Sequence, residues 1–393
     1  MLAVIATIPV NGGPAAAALS PDGSRVYVGT GSTSTIPVVN SATNIVTDTI
    51  GPAVGLQDVQ QLVVHPDGTR LYVNTFGAIT VVDPSAKTVL AVIPSSWAAQ
   101  VAIHPDGSTL YLASGGDPDG NPDPRIVLID TATNAVAGTI DVDGAYYVAV
   151  SPDGARLYVA GYTGDEMWAI DTATHAVVST IGVGKPISGL VVSPDSSRVY
   201  VLGAVKFGVT TSSVNVVDVA AGTVTTAVTF PLGLEPTDFA VAPDGSAVYV
   251  TNVHGAVSLF DTATMTMSET VQVGDYAGAV AVSPNGSRVY VTNSHNNTVS
   301  VIARLHVAPG SIDLPDLVGK LIGGAAAGGG GWLVIGDHFF PIPPRAPVLQ
   351  AIARAVAPHV GRPIKNQELG QRLRRTLAGP SAAVHRPENS PEH

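Results

Sequence analysis

Seven times along its 393 residues the chain writes a proline-containing turn and follows it with a tyrosine in a short apolar strand. The copies span 20–28, 65–73, 104–112, 151–159, 193–201, 242–250 and 283–291. Their prolines, Pro21, Pro66, Pro105, Pro152, Pro194, Pro243 and Pro284, lie 45, 39, 47, 42, 49 and 41 residues apart. In such a turn Pro presets φ at the second position, Asp bonds back to the turn backbone, and Gly takes the left-handed conformation. A period of about 40 residues carrying four strand-like segments is that of a propeller blade and not of a helical solenoid. Seven copies predict an all-β fold, a seven-bladed β-propeller.

The last copy shows how the ring is expected to close. Residues 279–282 read as an inner strand, Ser283-Pro284-Asn285-Gly286 as the turn, 288–293 as the second strand and 298–302 as the third. No fourth strand follows Ile302. Residues 2–8, LAVIATI, are a fourth strand with no blade before them. Pairing this N-terminal strand into the last blade removes two exposed sheet edges. The propeller is therefore expected over 1–303, with a C-terminal extension over 304–393. In the extension a Gly/Ala run over 323–331 acts as a linker, and 332–335 reads as a strand. Pro347 and Asn366 open two short amphipathic helices, and the end beyond 380 reads as disordered.

Hydrophobic residues at 45%, charged residues at only 12%, 42 Gly and 30 Pro suit many short buried strands joined by tight turns. The absence of cysteine removes disulfides, thiol nucleophiles and Cys-ligated metals from consideration. Charge is divided unevenly. Residues 1–303 carry 9 Lys and Arg against 24 Asp and Glu, so 9 − 24 = −15; residues 304–393 carry 10 against 6, so 10 − 6 = +4. An acidic ring repels phosphate backbones, so nucleic acid is not expected as a partner. The basic extension is expected to lie on the acidic ring in preference to an anionic membrane. The opening residues lack the basic region and apolar core of a secretory signal, which points to the cytoplasm, with envelope association or non-classical export as the alternative. The apolar stretch over 317–336 contains Lys320 and eight glycines and is too weak for a membrane span. A monomer is expected.

Tyr249-Val250-Thr251-Asn252 and Tyr290-Val291-Thr292-Asn293 resemble the signature of YVTN-family propeller repeats, found in surface-layer-like and envelope proteins of bacteria and archaea. The other blades carry looser forms such as Tyr72-Val73-Asn74, and the likeness covers 1–303. The length and the Gly/Pro-rich extension also resemble mycobacterial seven-bladed propeller proteins. The resemblance implies a fold and a habit of binding; its motif contains no catalytic residue to carry over.

Residues that recur with the blade serve the blade. This assigns the turn aspartates, the Asp130, Asp171 and Asp261 caps, and Arg25, Arg70, Arg156, Arg198 and Arg288 to structure, along with His65 and His104, which replace the turn serine. Deviations from the repeat point to the site. Five positions before each turn proline the inner strand carries Ala16, Gln61, Gln100, Tyr147, Gly189, Asp238 and Ala279. Gln61, Gln100, Tyr147 and Asp238 stand out from their small or apolar neighbours and are placed near the channel mouth. Nearby loops add Asp58, Trp97, Tyr146, Lys185, Glu235, Asp275 and Tyr276. The column reads either as a water-filled polar channel or as a ligand site.

Two metal sites come into view. His254 and His295 occupy equivalent loops beside Asp238, Asp275 and Glu235, although such loops diverge from the axis. In Asp117-Pro118-Asp119-Gly120-Asn121-Pro122-Asp123, the oxygen ligands Asp117, Asp119, Asn121 and Asp123 alternate as in half a calcium loop, but Leu128 stands where a bidentate Glu is needed. No cofactor is otherwise expected. The first functional expectation is a non-catalytic binding or scaffolding propeller for a protein or small ligand. The alternative is a 6-phosphogluconolactonase-like lactonase or metal-assisted lyase, with Glu235 or Asp238 as base, Lys185 as oxyanion or phosphate contact and His254 as proton shuttle.

Overall fold

The computed structural model describes residues 2–51, 56, 58–95, 98–114, 125–142, 144–203, 212–230 and 235–304, and the strands at 331–335 and 338–342. The chain divides into two units, Leu2–Arg304 and Leu305–His393. In the first, seven four-stranded antiparallel sheets follow one another along the chain. Blade four is representative, with strands Ala145–Val150, Arg156–Gly161, Glu166–Asp171 and Val177–Gly182 paired in chain order. This is the seven-bladed β-propeller that the turn repeat predicts.

Ring closure follows the expected route. Leu2–Pro9 pairs antiparallel with Thr298–Arg304, from Leu2 opposite Arg304 to Pro9 opposite Thr298, with a bulge between Val4 and Ala6. The third strand of blade seven runs on to Arg304, two residues past Ile302, because the clasp supplies it with partners.

Apolar burial lies between blades. Each hydrophobic cluster joins two neighbours: Tyr158, Met167 and Ile181 of blade four meet Leu190, Val199 and Val217 of blade five. The cluster across the closure holds Ile8, Tyr290 and Val301 against Val26, Val28 and Val39 of blade one. The seven repeat tyrosines are buried to 3% exposure or less. Each fully buried large side chain contributes about 1.5–3 kcal/mol, so these layers hold the ring together.

The turns interlock as well. In blade one, Ser20 Oγ donates to Asp22 Oδ1 at 2.6 Å, Ser24 N to the same oxygen at 3.0 Å, and Arg25 N to Ser20 Oγ at 3.0 Å. Gly23 has φ +70°, and a Cβ there would lie 3.1 Å from Pro284 Cδ of blade seven, so glycine answers both the turn and the neighbour. His65 and His104 do more than replace serine: their Nε2 atoms reach the turn carbonyls of Gly107 and Gly154 in the next blade, each at 3.0 Å. Arg70 donates to the Thr131 carbonyl and Arg288 to Asn44 Oδ1, both in the following blade, while Arg156 pairs with Asp171 of its own blade at 2.6 Å.

In the second unit Gly331–Ile335 pairs antiparallel with His338–Ile342. The Gly/Ala linker up to 330, the helices opened by Pro347 and Asn366, and the end beyond 380 lie outside the described residues. No described helix is long and apolar enough to cross a membrane.

Candidate ligand site at the channel mouth

Inner-strand residues from all seven blades line a central cavity of about 840 Å³. Gln61, Gln100, Tyr147 and Asp238 stand on its wall, joined by Glu235 and Tyr276 from the entry loops. The polar column has a structural use that local sequence does not reveal. Gln61 Oε1 accepts from Val101 N at 2.8 Å, and its Nε2 donates to the Val101 carbonyl at 3.0 Å. Gln100 Oε1 accepts from Val148 N at 2.9 Å, and Asp238 Oδ2 from Val280 N at 2.9 Å. In each case the donor is one residue past the column position of the next blade. The column thus clamps blade two to three, three to four and six to seven. Ala16, Gly189 and Ala279 have no side-chain acceptor to offer. At Gly189 a Cβ would lie 2.6 Å from Phe239 Cε1, so that position is given to the phenyl ring.

Asp238 differs electrostatically from the glutamines. Burial raises its carboxyl from the ordinary range to about 6, against the opposing effect of N–H donation from Val280 and Phe239. Burial also raises the Tyr147 hydroxyl far above its ordinary value, so Tyr147 is a neutral phenol at any working pH. Tyr146 does not line the cavity; its ring lies 4.8 Å from both Tyr147 and Tyr162.

The YVTN residues hold the sector around Asp238. Thr251 Oγ1 donates to the Gly278 carbonyl at 2.7 Å and lies 2.8 Å from Thr237 Oγ1, which donates to the Ala277 carbonyl. Asn252 Oδ1 accepts from His254 N at 3.0 Å and Ala256 N at 3.1 Å, fixing the loop that follows. Thr237 and Phe239, both on the cavity wall, were not singled out by the column; the Thr of the repeat motif and the break at Gly189 are the signals that point to them.

The remaining candidates disperse. His254 is exposed on its loop, and His295 stacks on Tyr276 at 4.9 Å. Lys185, Asp58, Asp275 and His254 do not line the cavity, and Asp275 is tied to Asn296 Nδ2 at 3.2 Å. Among the described residues no three His, Asp or Glu side chains gather as metal ligands, so His254, His295, Asp238, Asp275 and Glu235 form no such centre. Trp97 and the loop with Asp117, Asp119, Asn121 and Asp123 lie outside the described residues.

No protein-family profile and no curated protein matches the chain. Among solved structures it is similar to a chain of hydrazine synthase from Kuenenia stuttgartiensis, with a TM-score of 0.65 and 23% identity over 74% of this chain and 96% of that one. At that identity the likeness is one of fold, and fold is hospitable to many functions. The structure and the likeness agree on a seven-bladed β-propeller.

Proposed function

We propose that this chain is a non-catalytic binding propeller of the YVTN type, which presents its loop face and channel mouth to a small ligand or a protein segment. The observation that carries this reading is the cavity of about 840 Å³ on whose wall Gln61, Gln100 and Asp238 are fixed by interblade hydrogen bonds. Side chains held in this way form a preorganised wall, which lowers the ordering penalty of binding. Envelope association, carried by the resemblance to surface-layer-like repeats, belongs to the same proposal.

The second reading is an enzyme of the lactonase or lyase type. One observation favours it: the Asp238 carboxyl at about 6 lies in the range of a working general base. The exposed position of His254 and the place of Lys185 outside the lining leave that base without the proton shuttle and oxyanion contact it needs.

The test is a thermal-shift screen of small polar compounds on the wild type and on Ala15→Trp, a substitution at an exposed residue of the cavity rim. Compounds that raise the wild-type melting temperature and leave the variant unmoved support a channel-mouth site. Lactone or lyase turnover by the wild type, lost in Asp238→Asn, overturns the non-catalytic reading.

A further inference from the structure

The cavity wall is chemically lopsided. Its described lining includes two carboxylates, Glu235 and Asp238, and three aromatic rings, Tyr147, Phe239 and Tyr276, and no Lys, Arg or His. Glu235 and Tyr276 hold equivalent places on adjacent blades, each three residues before the column. The blades meet there: Asp238 Oδ2 takes the Val280 N–H at 2.9 Å, and Thr237 binds the Ala277 carbonyl next to Tyr276. One carboxylate at the rim, one on the strand that follows it and a ring on the neighbouring blade therefore share a sector.

Tyr276 supplies an independent observation. Its φ is +58°, and the equivalent residues of blades one, two and four, Gly13, Asp58 and Gly144, have φ of 61°, 52° and 73°. Four blades place a left-handed residue here, two of them as glycine, whereas blade five has Pro186, whose ring fixes a negative φ. A bulky aromatic in that conformation is strained, and such residues cluster where the strain serves a site. Tyr276 is 40% exposed, and its ring lies 4.9 Å from that of His295. On the same wall Ser212 is only 2% exposed, and its Oγ has no hydrogen-bond partner among the described residues.

Resting on the channel mouth as a ligand site, we propose that it binds a small organic cation, an alkylammonium or guanidinium, held between the Asp238 and Glu235 carboxylates and covered by the Tyr276 ring. Carboxylates give charge-assisted acceptors, and an aromatic face attracts a cation within about 6 Å of its centroid. Ser212 Oγ, on the blade-five side of the same cavity, is a further acceptor left unpaired among the described residues. Glu235 and Asp238 are three residues apart across the bulge between Pro236 and Phe239, which limits their Cα separation to about 10 Å, a span suited to a short diamine. The excess of acidic over basic residues in 1–303, 24 against 9, draws cations toward the ring.

The experiment is titration calorimetry of the full chain with butane-1,4-diamine, butane-1,4-diol and succinate. The diamine is expected to bind and the diol and succinate to give no heat. Glu235→Gln, at an exposed side chain, and Asp238→Asn are each expected to weaken the diamine at least fivefold. Tyr276→Gly relieves the backbone and should fold as well as the wild type while weakening the diamine severalfold; unchanged affinity would assign Tyr276 to structure and overturn its part. If the diamine gives no heat while a neutral or anionic compound from the screen is blocked by Ala15→Trp, the cation inference falls and the binding reading stands. If neither diamine nor any screened compound depends on Ala15, both fall.

Discussion

Asp238 stands where two opposing effects meet: burial penalises its charge, and two backbone N–H groups stabilise it. Burial wins, and the carboxyl moves from 3.8 to about 6. Between those values the folded chain holds a proton that the unfolded chain has released, so this group makes stability fall as pH rises from about 4 to about 6. The full penalty above that window is at most about 3 kcal/mol. The turn aspartates act with the opposite sign. Hydrogen bonds from Ser20 and Ser24 hold Asp22 at about 2, and donors in their own turns hold Asp106 and Asp195 there too. Their contribution is complete above about pH 4 and is lost as pH falls through 2. Asp238→Asn keeps an acceptor for Val280 and removes the titration. It is expected to melt several degrees higher than the wild type at pH 7.5 and to lose the decline between pH 4 and 6. A variant that melts lower with the same decline would show that another group sets it. Stability gained where ligand binding is lost would mark Asp238 as a residue retained for its charge.

Among the elements, the strand Leu2–Pro9 has an effect out of proportion to its length. It completes a sheet and places Ile8, 2% exposed, in the layer between blades seven and one. Removing 2–8 bares the edge of Thr298–Arg304 and opens that layer, so the melting temperature should fall by ten degrees or more; a melt within a degree or two of the full chain would contradict closure by this strand. The clasp was legible because a fourth strand was missing at one end and unclaimed at the other. The blades were legible because Pro, Asp and Gly act on φ and on hydrogen bonds within four residues, inside the reach of local pattern. The wall of the site was legible only in part. Gln61, Gln100 and Asp238 stood out as polar breaks in apolar strands, but their partners Val101, Val148 and Val280 lie 40, 48 and 42 residues away. Those contacts join consecutive blades, and local pattern does not specify which backbone group a side chain will face across a blade boundary. His254 and His295, read from the sequence as equivalent loop positions that diverge from the axis, belong to no metal-ligand group among the described residues.

For the molecule as a whole, the acidic ring makes encounter with a cation a long-range affair. At 0.01 M salt the Debye length is about 30 Å and at 1 M about 3 Å, so the steering reaches the channel from well outside it only at low salt. Stopped-flow mixing with the diamine should show an association rate that falls severalfold over that range with dissociation changed much less; a salt-independent association rate would mean that the ring's charge does not guide the ligand. The pairing of Leu2 with Arg304 has a further consequence, in time. At about 5–20 residues per second, a ribosome needs roughly 15–60 s to make the chain between those two residues. For that interval the first strand has no partner to accept its hydrogen bonds, and every blade made meanwhile belongs to an open arc. The nascent protein must therefore wait with an unpaired β-edge at each end, which puts its greatest exposure to mispairing during synthesis and before the ring exists.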